Sequence, residues 1–265
     1  MTEARIIACE ERYLVVYKPA GLHSAPLKGG GGGSLLEIIA RSRPEVLEVR
    51  GRQPWEGGLI HRLDYETEGL TLMARDSAAL EAFTAAQERG LFVKGYGALA
   101  RRSEGRLPGF PPLEPPPDLV PGSACRVESG FRPWGPGRRA VRPLLPGDQR
   151  RDAAWDRGGA YLTELTLLER RGPEARFALR IRRGFRHQIR CHLAWLGWPL
   201  LNDALYGGEM SGAPAAGIAL RAESLSFPDP ETGAEREYRL ETPPPLAGGS
   251  AGLLFLGEIA GAVVL

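Results

Sequence analysis

The chain has 265 residues, 43% of them hydrophobic and 25% charged, which is enough apolar material for one large globular domain or two small ones. Met1 to Arg5 carry neither the basic start nor the apolar run of a secretory signal, and no stretch is long and apolar enough to span a bilayer, so secreted and membrane-spanning classes are disfavoured. The formal net charge of +2 hides an uneven distribution, because residues 126–190 hold 16 Arg against 7 Asp and Glu, a local +9 that leaves −7 for the rest.

In chain order, Tyr13-Leu14-Val15-Val16-Tyr17 reads as a strand stopped by the turn Lys18-Pro19-Ala20-Gly21. Five glycines, Gly29 to Gly33, lack the Gly-Lys-Ser/Thr ending of a phosphate-binding loop and read as a surface loop. Ser34 and Glu37 form a capping box that starts a helix through Leu35, Ile38 and Ile39, ending before Pro44. Leu70 to Ala74 predicts a strand, Ser77 to Arg89 a helix capped by Asp76 or Ser77 and closed by Gly90, and Val93 to Ala100 another strand. From Arg101 to about Pro146, prolines and glycines predict a long loop or insertion. Tyr161 to Glu169 and Ala175 to Arg182 read as strands joined at Gly172-Pro173, the second with Phe177, Leu179 and Ile181 on a core face and Arg176, Arg180 and Arg182 on a face able to meet phosphate. The C-terminal run Ala251 to Leu265, interrupted by Glu258, reads as a packed strand or helix. Together these predict an α+β domain on a mixed, largely antiparallel sheet.

Three clusters could carry chemistry. His61-Arg62-Leu63-Asp64-Tyr65-Glu66-Thr67-Glu68-Gly69 stands directly before an apolar strand, where a turn holds its side chains firmly. A carboxylate beside a polyanion weakens phosphate attraction, so Asp64 is explained either by chemistry or by a plain structural role, capping a turn or pairing with Arg62. Arg183-Gly184-Phe185-Arg186-His187-Gln188-Ile189-Arg190-Cys191-His192, if helical from about Arg186, puts His187, Arg190 and Ala194 on one stripe beside an apolar face of Ile189, Leu193 and Leu196. Lys94-Gly95-Tyr96-Gly97-Ala98 flanks a strand tyrosine with glycines, as suits a ring that meets a flat partner such as a base. His187 and Cys191 find no second pair for a metal, and Cys9, Cys125 and Cys191 are too scattered for a disulfide framework, which fits a reducing cytoplasm. The basic block suggests a polyanion partner, since the planar arginine fork takes two phosphate oxygens, or else a general preference for Arg in a chain with only three Lys.

In this order the clusters resemble the RluA-type family of pseudouridine synthases. Lys18-Pro19-Ala20-Gly21 is similar to the family's opening turn, His61-Arg62-Leu63-Asp64 with Thr67 and Gly69-Leu70 to its catalytic signature, and Lys94-x-Tyr96-x-Ala98 to its tyrosine strand. Gly184-x-x-His187-Gln188-Ile189-Arg190, with Pro199, Asp203 and Tyr206-Gly207, is similar to its C-terminal motif. The resemblance spans about Tyr13 to Phe227. Three positions depart from the pattern: Glu68 where Ser is common, Phe185 where Arg is common, and Asn202 where Gly usually precedes the aspartate.

The resemblance implies a pseudouridine synthase fold with a central active-site cleft and an isomerase that converts uridine to pseudouridine in ribosomal or transfer RNA. Asp64 is then the catalytic carboxylate, Arg190 its pairing cation, and Tyr96 the ring that stacks on the uracil. Arg62 contacts RNA where the uridine leaves the stack, and His61, Thr67, Arg186, His187 and Gln188 complete the RNA-binding set. No metal or cofactor is expected, because the reaction rearranges one nucleotide without net redox or group transfer. The chain is expected to be a single catalytic domain, 1–265, with its core about 13–227 and no N-terminal accessory RNA-binding module, acting as a cytoplasmic monomer. The rival readings are a non-catalytic RNA-binding protein on the same scaffold and a carboxylate-dependent hydrolase. The hydrolase finds no second catalytic carboxylate or metal set beside Asp64.

Overall fold

A computed structural model of the chain describes residues 3–27, 33–103, 105, 107–113, 119–145, 159–210, 217–240 and 263–264. The chain divides into two compact units. One is Met1–Tyr96 with Ala216–Glu241, and the other is Gly97–Ala215 with Thr242–Leu265.

In the first unit, β1 (Arg5–Cys9) pairs antiparallel with β2 (Tyr13–Lys18), and β2 with β3 (Glu68–Ala74). Every residue of β2 is buried, because both faces of this sheet are covered. Tyr13, Val15 and Tyr17 point into a cluster with Leu70, Leu72, Phe83, Phe92 and Phe227. Leu14 and Val16 point the other way, onto Leu35, Leu36, Ile39 and Met73. The first cluster is roofed by α3 (Ser77–Glu88), whose N-cap is Asp76, its side chain accepting from Ala79 N; Arg12 also holds that carboxylate. The second is roofed by α1 (Leu35–Ala40) with the complete Ser34/Glu37 capping box, followed by a short α2 (Glu45–Glu48). The strand order in this unit is β1-β2-β3, then β9 (Leu220–Pro228), then the first residues of β4 (Val93–Arg101). Thus β9, late in the chain, inserts parallel to β3 at Glu68↔Arg221 and Gly69↔Ala222, and β10 (Glu235–Arg239) pairs antiparallel with its remainder.

In the second unit, β7 (Tyr161–Arg171) and β8 (Glu174–Ile181) form the expected hairpin, and β7 also pairs with β5 (Ala124–Trp134). Phe177, Leu179 and Ile181 are buried as the alternation predicts. The opposite face is less cationic than read from β8 alone, since Arg180 lies across from Glu164 and Arg176 from Glu169. The helix α4 (Gln188–Trp195) packs on β7 and on β6 (Ala140–Leu144). It starts two residues later than expected, because His187 adopts a left-handed conformation (φ 58°) and serves as N-cap.

The reading of 101–146 as one long loop is corrected for its second half, which contains β5 and β6. Proline bars a residue from donating to a ladder, yet Pro133 and Pro143 both lie in strands. β5 pairs with β7 through Ala124–Ser129 and with β6 through Gly130–Trp134, so the stretch holding Pro133 has a ladder on one side only. β6 pairs with β5 and is an edge that tolerates Pro143. The runs Gly29 to Gly32, Glu114 to Pro117 and most of Ala251 to Leu265 lie outside the described residues.

Candidate active site

The residues singled out by sequence fall in both units. In the first unit the turn 61–67 is fixed from several sides. Ile60 N donates to Leu72 O (3.0 Å) and Thr71 Oγ1 to His61 O (3.0 Å), which ties the start of the turn to β3. Leu63 is buried, its N–H donating to Ser24 Oγ (3.0 Å) while Ser24 Oγ donates to Leu63 O (2.9 Å). Thr67 N closes the turn on Asp64 O (3.1 Å), and Gly21 N donates to Tyr65 O (2.8 Å). Beneath lies Lys18, fully buried, whose Nζ donates to Pro19 O (2.9 Å), Leu22 O (2.7 Å) and Tyr65 O (3.3 Å). The opening turn and the Asp64 turn are therefore laced together through backbone carbonyls, a role for Lys18 that sequence reading did not supply. Burial lowers the Lys18 ammonium to about 8, a shift that the nearby Asp64, Glu66 and Glu68 oppose.

Asp64 is partly exposed at the head of this turn. The Tyr96 hydroxyl lies close enough to feel its charge: burial first, then Asp64, hold it well above the ordinary tyrosine range. Tyr96 therefore stays a neutral phenol that can donate a hydrogen bond or carry a proton. Its neighbour Gly95 is needed for packing, since a Cβ there would strike Ser224 Oγ on β9. Arg62 pairs with Glu56 (3.1 Å) and is 61% exposed. His61 is held well below its usual range by burial and by Lys94, its ring edge-on to Phe92 at 5.6 Å and both ring nitrogens buried without a hydrogen-bond partner. Thr67 is buried, with Oγ1 likewise unpartnered. Lys94 is 5% exposed, and burial with the cation Arg52 lowers it to about 8.

Glu68, one of the departures, accepts from Tyr17 OH (2.7 Å) and sits 3.5 Å from Arg221 Nε, so the larger side chain has partners on β2 and β9. Gly69 has φ of 124°, and a Cβ there would collide with the backbone of Ala222.

In the second unit, Arg190 is buried and held side-on by Asp203, with Nε to Oδ2 at 2.7 Å and Nη2 to Oδ1 at 2.8 Å. This bidentate fork fixes the guanidinium plane over the Tyr206 ring. Asn202 takes the left-handed conformation (φ 65°), which explains how it stands where glycine is usual: asparagine is among the few other residues at home there. Phe185 stacks on Phe131 at 4.9 Å. Gln188 is buried and internal, accepting from Phe185 N and donating to Leu162 O and Thr163 Oγ1, all at 3.0 Å. His187 Nδ1 lies 3.2 Å from Tyr206 OH, and Arg186 donates to Arg138 O (2.7 Å) at the tip between β5 and β6. His192 bridges Ser129 Oγ (2.9 Å) and Thr163 Oγ1 (2.8 Å), and burial lowers it to about 3, so it is a neutral structural histidine.

Among the described residues no group of three or more His, Cys, Asp and Glu side chains is placed to hold a metal ion, and no helix is long and apolar enough to cross a membrane.

Residues 12–195 match the RNA pseudouridylate synthase family. The chain is similar to ribosomal large subunit pseudouridine synthase D of Pseudomonas aeruginosa, 30% identical over 227 residues, covering 85% of this chain and 60% of that protein. It is also similar to an uncharacterised RNA pseudouridine synthase of Chloroflexus aurantiacus, 28% identical over 226 residues, covering 85% of this chain and 62% of the relative. The chain thus spans somewhat over half the length of these relatives. In fold it resembles human RNA pseudouridylate synthase domain containing 1 (TM-score 0.61, 20% identity, 91% of this chain and 84% of that one) and domain containing 4 (TM-score 0.59, 20% identity, 90% and 88%).

Proposed function

The chain belongs to the RNA pseudouridylate synthase family, of the RluA type, and from that premise we propose that it isomerises uridine to pseudouridine in RNA with Asp64 as its catalytic carboxylate. The observation that carries the reading is the Asp64 turn itself: a carboxylate on a backbone laced by Lys18, Ser24 and Gly21, with the neutral phenol of Tyr96 within reach of its charge.

The reaction breaks the N1–C1′ bond, turns the uracil and forms a C5–C1′ bond; the C5 proton leaves and N1 gains one, so the composition is unchanged. An ionised carboxylate on a rigid turn can attack the sugar C1′, deprotonate the substrate or add to it. Tyr96 stacks on the uracil and serves proton movement at C5. Arg62, exposed at the rim of the turn, contacts the RNA where the uridine is flipped out. Arg190, carried over from the family resemblance as the cation that keeps Asp64 ionised, belongs to the same proposal, and its Asp203 fork keeps it from turning away. His61, Thr67, Arg186, His187 and Gln188 support the RNA-binding surface; the internal bonding of Gln188 gives it a positioning share. Similarity to ribosomal large subunit pseudouridine synthases favours ribosomal over transfer RNA as substrate. The proposed working form is a cytoplasmic monomer.

The test is tritium release from C5-tritiated large-subunit ribosomal RNA taken from cells lacking the gene, comparing the wild type with Asp64→Asn. Release by the wild type alone supports the reaction and the role of Asp64. Tight RNA binding with no release from any RNA favours the non-catalytic RNA-binding reading instead.

A further inference from the structure

Tyr65 follows Asp64 in the chain, and its side chain points outward, 45% exposed, where Tyr96 is 6% exposed. A single exposed tyrosine is ordinary. The backbone that carries this one is tied down on two sides. Its carbonyl accepts from Gly21 N and from Lys18 Nζ, and the preceding Leu63 exchanges two bonds with Ser24. Its ring lies on the His23 imidazole, centroids 4.6 Å apart at 43°. His23 is fixed in turn: its carbonyl accepts from Leu35 N (2.8 Å) at the first turn of α1, and it bridges to Ser34. Two adjacent turns, 18–24 and 61–67, thus present a preformed pair of rings in tilted contact on the surface beside the candidate catalytic carboxylate. Neither ring belongs to the clusters built around Phe83 and around Leu35 among the described residues.

A base that leaves its stack uncovers the faces of its neighbours, and exposed aromatic rings are what RNA-binding surfaces use to cover such faces. Resting on the reading above, we propose that Tyr65, backed by His23, is a stacking platform for an unpaired base next to the target uridine. The ligand class is the π face of a nucleobase in single-stranded RNA, whichever base it is. His23 covers part of the tyrosine, orders it before binding and so reduces the entropy lost when RNA arrives.

The experiment compares wild type, Tyr65→Ala, Tyr65→Leu, Tyr65→Phe and His23→Ala on an unmodified transcript of large-subunit ribosomal RNA. It measures KM by tritium release and Kd by filter retention over a series of salt concentrations. Tyr65→Ala and Tyr65→Leu are expected to raise KM and Kd by about 5- to 150-fold, the usual worth of one stacked base. Tyr65→Phe stays within about two-fold because the ring is kept, and His23→Ala falls between. The salt slope is unchanged, since no phosphate contact is removed. Equal Kd for wild type and Tyr65→Ala, or a Tyr65→Phe loss as large as that of Tyr65→Ala, overturns the platform. If the wild type releases no tritium, the Kd comparison still decides: a loss confined to the ringless variants supports the platform while the catalytic reading fails.

Discussion

Lys94→Met should make the protein more stable at neutral pH and erase part of its response to alkali. Lys94 is 5% exposed on β4, with its ammonium 5.6 Å from the Phe92 ring centroid. Burial and Arg52 bring it from 10.5 to about 8, and no carboxylate among the described residues opposes that shift. Between those two values the unfolded chain holds the proton and the folded chain does not, so stability rises with pH across that window. The penalty is fully present below about 8 and gone above about 10.5. At about 1.4 kcal/mol per pH unit the whole difference is on the order of 3 kcal/mol. Methionine keeps an unbranched chain of similar length without the charge. The variant should therefore gain roughly 1–3 kcal/mol at pH 7, after allowance for water reaching the ammonium, and little or nothing near pH 10.5. Urea melts of both proteins at pH 7, 8, 9 and 10 measure this. Lys18 and the buried tyrosines titrate in both proteins alike, so they cancel in the difference. A gap that stays constant from pH 7 to 10 would refute an ammonium that is charged and poorly compensated in the folded state.

Gly69→Ala should cost about 3 kcal/mol or more, because the new Cβ meets the Ala222 backbone at a φ that suits glycine, and the midpoint of a denaturant melt should drop accordingly. Asp203→Ala removes the bidentate partner of a buried guanidinium and should cost about 3–5 kcal/mol, read in the same melt. Asp203→Asn, which keeps one acceptor, should cost less; equal losses would show that the single neutral bond the amide retains contributes nothing.

Local signals were legible where a few neighbouring residues settle the outcome. The Ser34/Glu37 box, the Asp76 cap and the alternation of β8 needed no knowledge of distant partners. β5 was hidden because its prolines and glycines speak for a loop, while the ladder with β7 that overrides them comes from a segment some forty residues later. The site shows the same division. Asp64, Tyr96 and Arg190 stood out by motif and order, but the lacing under Asp64 depends on carbonyls that Lys18 meets only when two turns lie side by side, one of them 47 residues away. Nor does spacing announce that Arg190 grips Asp203, thirteen residues on, or that the His23 ring meets the Tyr65 ring. Side chains with long reach and partners far along the chain leave no periodic trace. Glu68 and Asn202 were visible as departures, and only the fold shows what each one touches.

The insertion of β9 between β3 and β4 has a consequence for synthesis. A ribosome delivers β3 and β4 early but must add roughly 120 residues more before β9 emerges, on the order of ten seconds at ordinary elongation rates. Until then the nascent sheet has a missing slat, with two strand flanks unpaired and Leu225 and Phe227 absent from the cluster around Phe83 and Phe92. A ribosome stalled before Leu220 would therefore hold an open, adhesive sheet, the kind of surface that chaperones guard.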